Sequence, residues 1–307
     1  RFLWASMKFA ASFNGGPAFE PPKYLTDYYT DEAVKAIEAN KDRPFFLYLA
    51  HWAPHTPLQA AREDYEALSH IELHRERVYA AMIRSLDRGV ARVMQALKDN
   101  GLDENTLVMF TSDNGGAGYI GLPDVNYPYR GWKISLFEGG IRAPFLARWP
   151  AKLPAGETFD EPVHHFDMYA TAAAAAGAGL PEDRVMDGVD LTPYVTGIDT
   201  KQAPHEYLFF RSGAAQAVRD ERWKLMVSAP EGMPRKEWLF DLTADGEWTD
   251  LLAEHPKVAE RLRGVLETHN SEQAEPRWPW TITSPYNMDR DLSQEDQPDD
   301  EFAYWSN

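Results

Sequence analysis

The sequence predicts an α/β protein: a largely parallel sheet flanked by helices, followed by a small antiparallel sheet with a helix. Three observations carry this. Short continuous apolar runs of strand length recur with helical patterns between them, the alternation of a parallel sheet buried on both faces. Near residue 200 the pattern changes to short alternating runs broken by turn residues, as in antiparallel strands. An amphipathic helix then closes the region. The boundaries that follow are 1–200 for the larger α/β part, 201–270 for the small sheet with its helix, and 271–307 for an irregular tail rich in Pro, Asp, Gln and Trp that wraps the surface.

Each element has a local reason. Residues 1–30 are loop-rich, with Gly15, Gly16, Pro17, Pro21 and Pro22. From Thr30 the run DEAVKAIEAN has helical spacing, with Ala33, Ala36 and Ile37 on one side and Thr30 or Asp31 as N-cap. PFFLYLA (Pro44 to Ala50) is a short apolar run bounded by turn residues and reads as a strand buried on both faces. Val78, Met82, Leu86, Val90, Val93 and Leu97 form one helical face over 75–100, with Gly101 as C-cap. TLVMFT (106–111) and APFLARWP (143–150) read as two further strands. VHHFDMYATAAAAAG reads as a helix ending at Gly177 or Gly179. EYLFFR, AQAVRD, RWKLMVS and KEWLFDL supply the antiparallel strands, and HPKVAERLRGVLETH the helix on their face.

The totals exclude several functions. A formal charge of −17 argues against nucleic acid or an anionic membrane as partner, since either needs a large basic surface. No run approaches the roughly 18 apolar residues of a membrane span. With no cysteine, disulfides, thiolate metal sites and cysteine nucleophiles are excluded within the chain, and the redox compartment stays open. The chain opens RFLWASMKFA, without an initiator Met or a signal-peptide pattern, so the reading expects a processed chain or a truncated gene.

In open α/β sheets, ligands bind beyond the carboxyl ends of the strands. Three loops lie there. SDNGG follows TLVMFT, and Asp113 and Asn114 offer oxygen donors suited to a hard cation such as Ca²⁺, or less well Mg²⁺. The same residues also make an ordinary Asx-turn. AHWAPHTP carries His51 and His55 four apart, but Pro54 and Pro57 preclude the helical zinc pair, so either histidine is an anion contact or a loop cap. NYPYRGWKISLFEGGIRAP places Arg130, Lys133 and Arg142 in an otherwise acidic chain, with Glu138 a candidate partner for one of them. Lys133 is a compact charge suited to an anionic oxygen, and a solvated basic loop is the alternative. Together the loops fit a site for a tetrahedral oxyanion ester, sulfate or phosphate.

The segments PFFLYLAHWAPHTPLQA, LDENTLVMFTSDNGG and YRGWKISLFEGGIRAPFLARWP resemble the arylsulfatase family of the alkaline-phosphatase-like superfamily, from about Tyr24 to about His269. AVRDERWKLMVS and WLFDLTADGEWTDLLAEHP resemble the small C-terminal sheet domain of that family. The resemblance implies an alkaline-phosphatase-like fold and a sulfuric ester hydrolase. It implies Asp113 and Asn114 as calcium ligands, His55 as a contact to the sulfate ester and Lys133 as a ligand of the sulfate oxygens. It transfers no role to His51 or Arg130.

The family's nucleophile is a formylglycine made from the Cys or Ser of a C/S-x-P-x-R motif. No cysteine is present, and the nearest serine match, SAPEG (228–232), has Gly where Arg is needed. The family's early Asp-Asp metal ligands and Lys-x-His motif are absent as well. The resemblance therefore implies a C-terminal portion whose N-terminal sulfatase segment is missing, with an isolated chain that is inactive and poorly soluble. It implies a small-molecule or carbohydrate sulfate ester as substrate and a periplasmic or secreted location. A phosphodiesterase or phosphonate hydrolase of the same superfamily, and a non-catalytic truncated product, are the alternatives. Trp278, Trp280, Tyr286 and Trp305 in the tail either stack on a substrate ring or pack the tail down.

Overall fold

A computed structural model describes residues 10–197, 203–245, 247–274, 277–290 and 294–306. The chain divides into two compact units, Arg1–Thr106 with Trp149–Ala151, and Leu107–Arg148 with Lys152–Asn307.

The first unit is helical. It holds α1 (Leu25–Asn40), α2 (Arg62–Ala67) and α3 (His74–Asp99). Helix α3 matches the expected span, but its most buried line runs through Ala81, Ser85 and Gly89, beside the larger apolar residues. Small side chains there let α1 approach closely: a Cβ on Gly89 would lie 2.6 Å from Oγ1 of buried Thr30. That hydroxyl donates to the carbonyl of Thr26 at 2.9 Å, so no polar atom is stranded at the contact. Arg88 ties the three helices together. It pairs with wholly buried Asp64 of α2 and, at 2.9 Å, with Asp27 of α1, while Arg84 reaches Asp64 at 3.0 Å.

PFFLYLA corrects the sequence reading. It joins no sheet among the described residues, and Phe46 and Tyr48 are each 79% exposed. An apolar run becomes a buried strand only where neighbouring strands take up its backbone groups and cover its faces, and no described segment does so.

The second unit begins with β1 (Val108–Thr111), followed by α4 (Glu138–Ile141) and β2 (Phe145–Arg148). The α/β class stands, but β1 and β2 pair antiparallel, Met109 opposite Ala147, and no parallel pair occurs among the described residues. The two strands have no further neighbours there, so Phe110 and Leu146, expected inside, are exposed.

Helix α5 (His165–Ala175) starts at a reciprocal cap: His164 Nδ1 accepts from the N–H of Phe166, and Asp167 accepts from the N–H of His164 at 2.7 Å. Asp167 also takes His205 Nε2 at 2.9 Å, so this wholly buried carboxylate is satisfied. A short α6 (Thr192–Val195) follows.

The antiparallel meander forms as expected: β3 (Leu208–Ser212), β4 (Ala215–Arg219), β5 (Trp223–Ser228) and β6 (Lys236–Asp241), in that spatial order. Alternation gives it two apolar faces. Val218, Leu225, Val227 and Leu239 meet Ala259, Leu262 and Leu266 of α7 (Pro256–Glu272). Ala217, Met226, Trp238 and Phe240 meet Leu136 and Phe137 from the loop before α4.

The tail also departs from expectation. Residues β7 (Thr283–Asn287) and β8 (Phe302–Ser306) form an antiparallel hairpin, and Tyr286, Met288 and Ala303 join the same core as Phe137. Of the tail aromatics, Tyr286 packs inside, Trp305 lies partly buried against this core, and Trp278 stays 76% exposed.

Candidate functional site: two knitted loops

Asp113 and Asn114 occupy the turn that leaves β1, as the sequence predicts. Asp113 is exposed, and Asn114 is half-buried with its Nδ2 donating to the carbonyl of Gly115 at 2.9 Å. Ser112 Oγ donates to the carbonyl of Asn114 at 2.9 Å. His165 supports this turn and was missed by the sequence reading, which saw VHHFD only as a helix start. Its Nε2 donates to the carbonyl of Ser112 at 2.9 Å and lies 3.2 Å from Thr111 Oγ1.

Three glycines let the turn lie against the Lys133 loop. The N–H of Gly115 donates to Gly140 at 2.9 Å, and a Cβ on Gly115 would fall 1.8 Å from the carbonyl oxygen of Gly139. A Cβ on Gly139 would fall 2.3 Å from that of Gly131, and one on Gly140 2.2 Å from that of Ser135. Only glycine permits backbone to approach backbone so closely. Asn126 clips the loops together: its Oδ1 accepts from the N–H of Gly116 at 2.7 Å, and its Nδ2 donates to Gly116 and Gly131 at 3.0 and 3.2 Å. The N–H of Lys133 donates to Gly116 at 3.0 Å. Next to it, Ile134 has φ +84°, a left-handed conformation that a β-branched residue adopts only under constraint. Asp113, Asn114 and Lys133 thus share one tightly bonded backbone assembly.

His51 and His55 belong to the first unit. His55 is exposed, with Nδ1 2.8 Å from the carbonyl of Thr56. His51 is half-buried, both ring nitrogens lack hydrogen-bond partners among the described residues, and burial holds its pKa down. Arg130 is structural: its guanidinium donates to Asp289 at 2.6 and 2.9 Å and to the carbonyl of Glu247 at 3.1 Å. Glu138 does pair with a cation of its own loop, Arg142 at 3.9 Å, but more closely with Lys224 at 3.0 Å.

The donor chemistry of Asp113 and Asn114 fits a hard cation in kind and falls short in number. Calcium takes 6–8 oxygens. No group of three or more His, Asp or Glu able to hold a metal occurs among the described residues.

Comparison with known proteins decides the family. The sulfatase family model matches residues 4–178, and the model of the N-sulphoglucosamine sulphohydrolase C-terminal region matches 131–272. The chain belongs to the sulfatase family. It is 38% identical over 226 residues to mouse steryl-sulfatase, covering 68% of this chain and 34% of that one. It is 30% identical over 303 residues to mouse arylsulfatase J, covering 83% and 50%. This sulfatase chain thus spans about a third to a half of these curated relatives. Among solved structures, Ps i-CgsB matches with a TM-score of 0.76 at 34% identity, over 86% of this chain and 59% of that one. That protein has also been solved in complex with k-i-k-neocarrahexaose. The phosphonate monoester hydrolase SpPMH from Silicibacter pomeroyi matches with a TM-score of 0.63 at 20% identity, covering 84% and 62%, a likeness of fold alone. These neighbours establish the alkaline-phosphatase-like fold. No described helix is long and apolar enough to cross a membrane.

Proposed function

We propose that this chain is the oxyanion-binding portion of a sulfuric ester hydrolase acting on a sulfated carbohydrate. The observation that carries the reading is the bonded assembly of the Asp113–Asn114 turn with the Lys133 loop, in a chain of the sulfatase family. Lys133 neutralises charge on the non-bridging sulfate oxygens as the ester bond breaks. Asp113 and Asn114 contribute two oxygens to a Ca²⁺ site whose other ligands come from outside the described residues. Held there, a hard cation would supply Lewis-acid polarisation of the sulfate oxygens. His55 contacts the ester. The nucleophile, a formylglycine, comes from a segment outside these 307 residues, since the chain holds neither cysteine nor a C/S-x-P-x-R motif. The isolated chain is accordingly inactive. The carbohydrate assignment draws on the oligosaccharide complex of Ps i-CgsB.

The test is kinetic, on the complete protein that carries this chain, with an aryl sulfate, a sulfated oligosaccharide and an aryl phosphonate. Sulfate esters should turn over in preference to the phosphonate. Lys133→Ala should cost about 10²-fold in kcat, and Asp113→Ala should weaken calcium binding measured by calorimetry. Preference for the phosphonate, or near-normal kinetics in Lys133→Ala, refutes the reading.

A further inference from the structure

The Lys133 loop rests on a buried group of charges that the proposed chemistry does not use. Glu138, at the start of α4, is buried; its Oε1 accepts from Lys224 Nζ at 3.0 Å and its Oε2 lies 3.3 Å from Arg219 Nη1. Lys224, on β5, is wholly buried, and so is Glu247, on the loop after β6. Glu247 Oε1 lies 2.8 Å from Lys224 Nζ, and its Oε2 accepts from the backbone N–H of Glu138. Its own backbone stands at φ +79°. Its carbonyl accepts from Arg130, the residue that also takes the N–H of Gly139 on its carbonyl at 2.8 Å.

Such a cluster is a poor source of stability, because desolvating charges offsets most of their attraction and apolar residues fill such space at no loss. Its effect lies in direction. It fixes the N–H of Glu138, and the next two residues are Gly139, bonded to Arg130, and Gly140, bonded to Gly115. Arg130 and Lys133 flank the same turn. The charges therefore set the backbone path on which both the Lys133 loop and the Asp113–Asn114 turn are hung.

We propose that Glu247 and Lys224 are positioning residues, which hold the 130–141 backbone so that Lys133 and the Asp113–Asn114 turn keep their mutual register. The proposal rests on the reading of Lys133 as an anion ligand. Neither residue touches substrate.

The experiment reads backbone amide exchange of the ligand-free protein, and its affinity for inorganic sulfate, in Glu247→Ala, Glu247→Gln, Lys224→Met and Lys133→Ala. Glu247→Ala and Lys224→Met should speed exchange across 131–141 at least tenfold while β4, β5 and α7 keep their protection. Glu247→Gln keeps one acceptor for the N–H of Glu138 but sets its amide N–H₂ against Lys224 Nζ, so it should recover only part of the protection lost in Glu247→Ala. Sulfate affinity should fall in Glu247→Ala as it does in Lys133→Ala. Unchanged exchange over 131–141, or equal loss across the sheet, overturns the proposal. So does sulfate affinity lost in Lys133→Ala but kept in Glu247→Ala. If Lys133→Ala itself binds sulfate normally, the reading of Lys133 fails, and the assigned purpose of the positioning fails with it, whereas the exchange data still report whether Glu247 holds the loop. A Glu247→Ala chain that does not fold leaves Glu247→Gln and Lys224→Met to decide: the first must keep more protection over 131–141 than the second, and equal or lower protection in the first overturns the proposal.

Discussion

Replacing Glu247 by Gln should remove a loss of stability that the native protein suffers as pH rises from 5 to 8. Burial, first, and then the charge of Glu138 outweigh the attraction of Lys224 and hold the Glu247 carboxyl up to about 7, against 4.5 for an ordinary glutamate. Between those values the native state keeps a proton that the unfolded chain has released, so stability falls as pH rises and levels off above 7. The full shift amounts to about 3 kcal/mol, and roughly three quarters of it falls between pH 5 and 8. Glu138 has the opposite sign. Burial opposes its ionisation, but Lys224 and Arg219 overcome that and hold its carboxyl below the usual range, so its stabilisation is lost only on acidification below about pH 4.5. His51 and His164 are pushed down, mainly by burial, and add stability as pH rises toward 6.5. The variant shares the two histidines, and Glu138, whose ionisation the loss of the Glu247 charge makes easier, acts only on acidification below about pH 4.5, so between pH 5 and 8 the change in the difference between the two proteins reports Glu247. Chemical denaturation at pH 5, 6, 7 and 8 is the assay. Relative to its value at pH 5, the stability difference should move by about 2–3 kcal/mol in favour of the Gln variant by pH 8. A difference that stays flat with pH, or one that moves toward the native protein as pH rises, refutes the reasoning.

Two further outcomes follow from the packing. Gly101→Ala meets nothing within 4 Å at φ +70° and should cost about 1 kcal/mol in backbone strain alone, whereas Gly115→Ala drives a Cβ into the Gly139 backbone and should cost clearly more; thermal melts of the pair separate the effects. Arg88→Met leaves Asp64 wholly buried with only Arg84 to pair it, and should cost about 3 kcal/mol in urea unfolding, with a loss under 1 kcal/mol showing that the knot of α1, α2 and α3 is unimportant.

What could be read from sequence follows the physics of periodicity. Helix α3 and the four meander strands carry strong 3.6- and 2-residue patterns, and they appear within a residue or two of the expected places. PFFLYLA has the same apolar signal as a buried strand, but the signal says nothing of whether partners lie beside it. The direction in which β1 pairs with β2 is likewise absent from any local pattern. The tail hairpin was missed because Tyr286 and Met288 are buried by residues far away in sequence. Asp113, Asn114 and Lys133 could be singled out as candidates because strand-end loops are where ligand chemistry collects. Lys224 and Glu247 were not. In RWKLMVS nothing marks the lysine as buried, yet α7 covers one face of that sheet and the Phe137 loop the other. Its partner Glu138 lies 86 residues away.

That double covering explains why the loop needs charges as well as grease. Phe137 is wholly buried against Phe240, with ring centroids 5.7 Å apart, and burial of such a side chain supplies about 2–3 kcal/mol toward docking the loop on the sheet. Apolar burial is non-directional, however, and a phenyl ring can rock or slide in its pocket at little cost. A hydrogen bond to one backbone N–H weakens steeply once it bends. The bond from the N–H of Glu138 to Glu247 therefore selects one docked register among the many that Phe137 alone would allow. The register matters because Gly139 and Gly140 leave no slack: with gaps that a single methyl group would close to about 2 Å, a small slide of α4 would break the bond between Gly115 and Gly140. The turn that carries Asp113 and Asn114 would then lose its hold on the loop that carries Lys133.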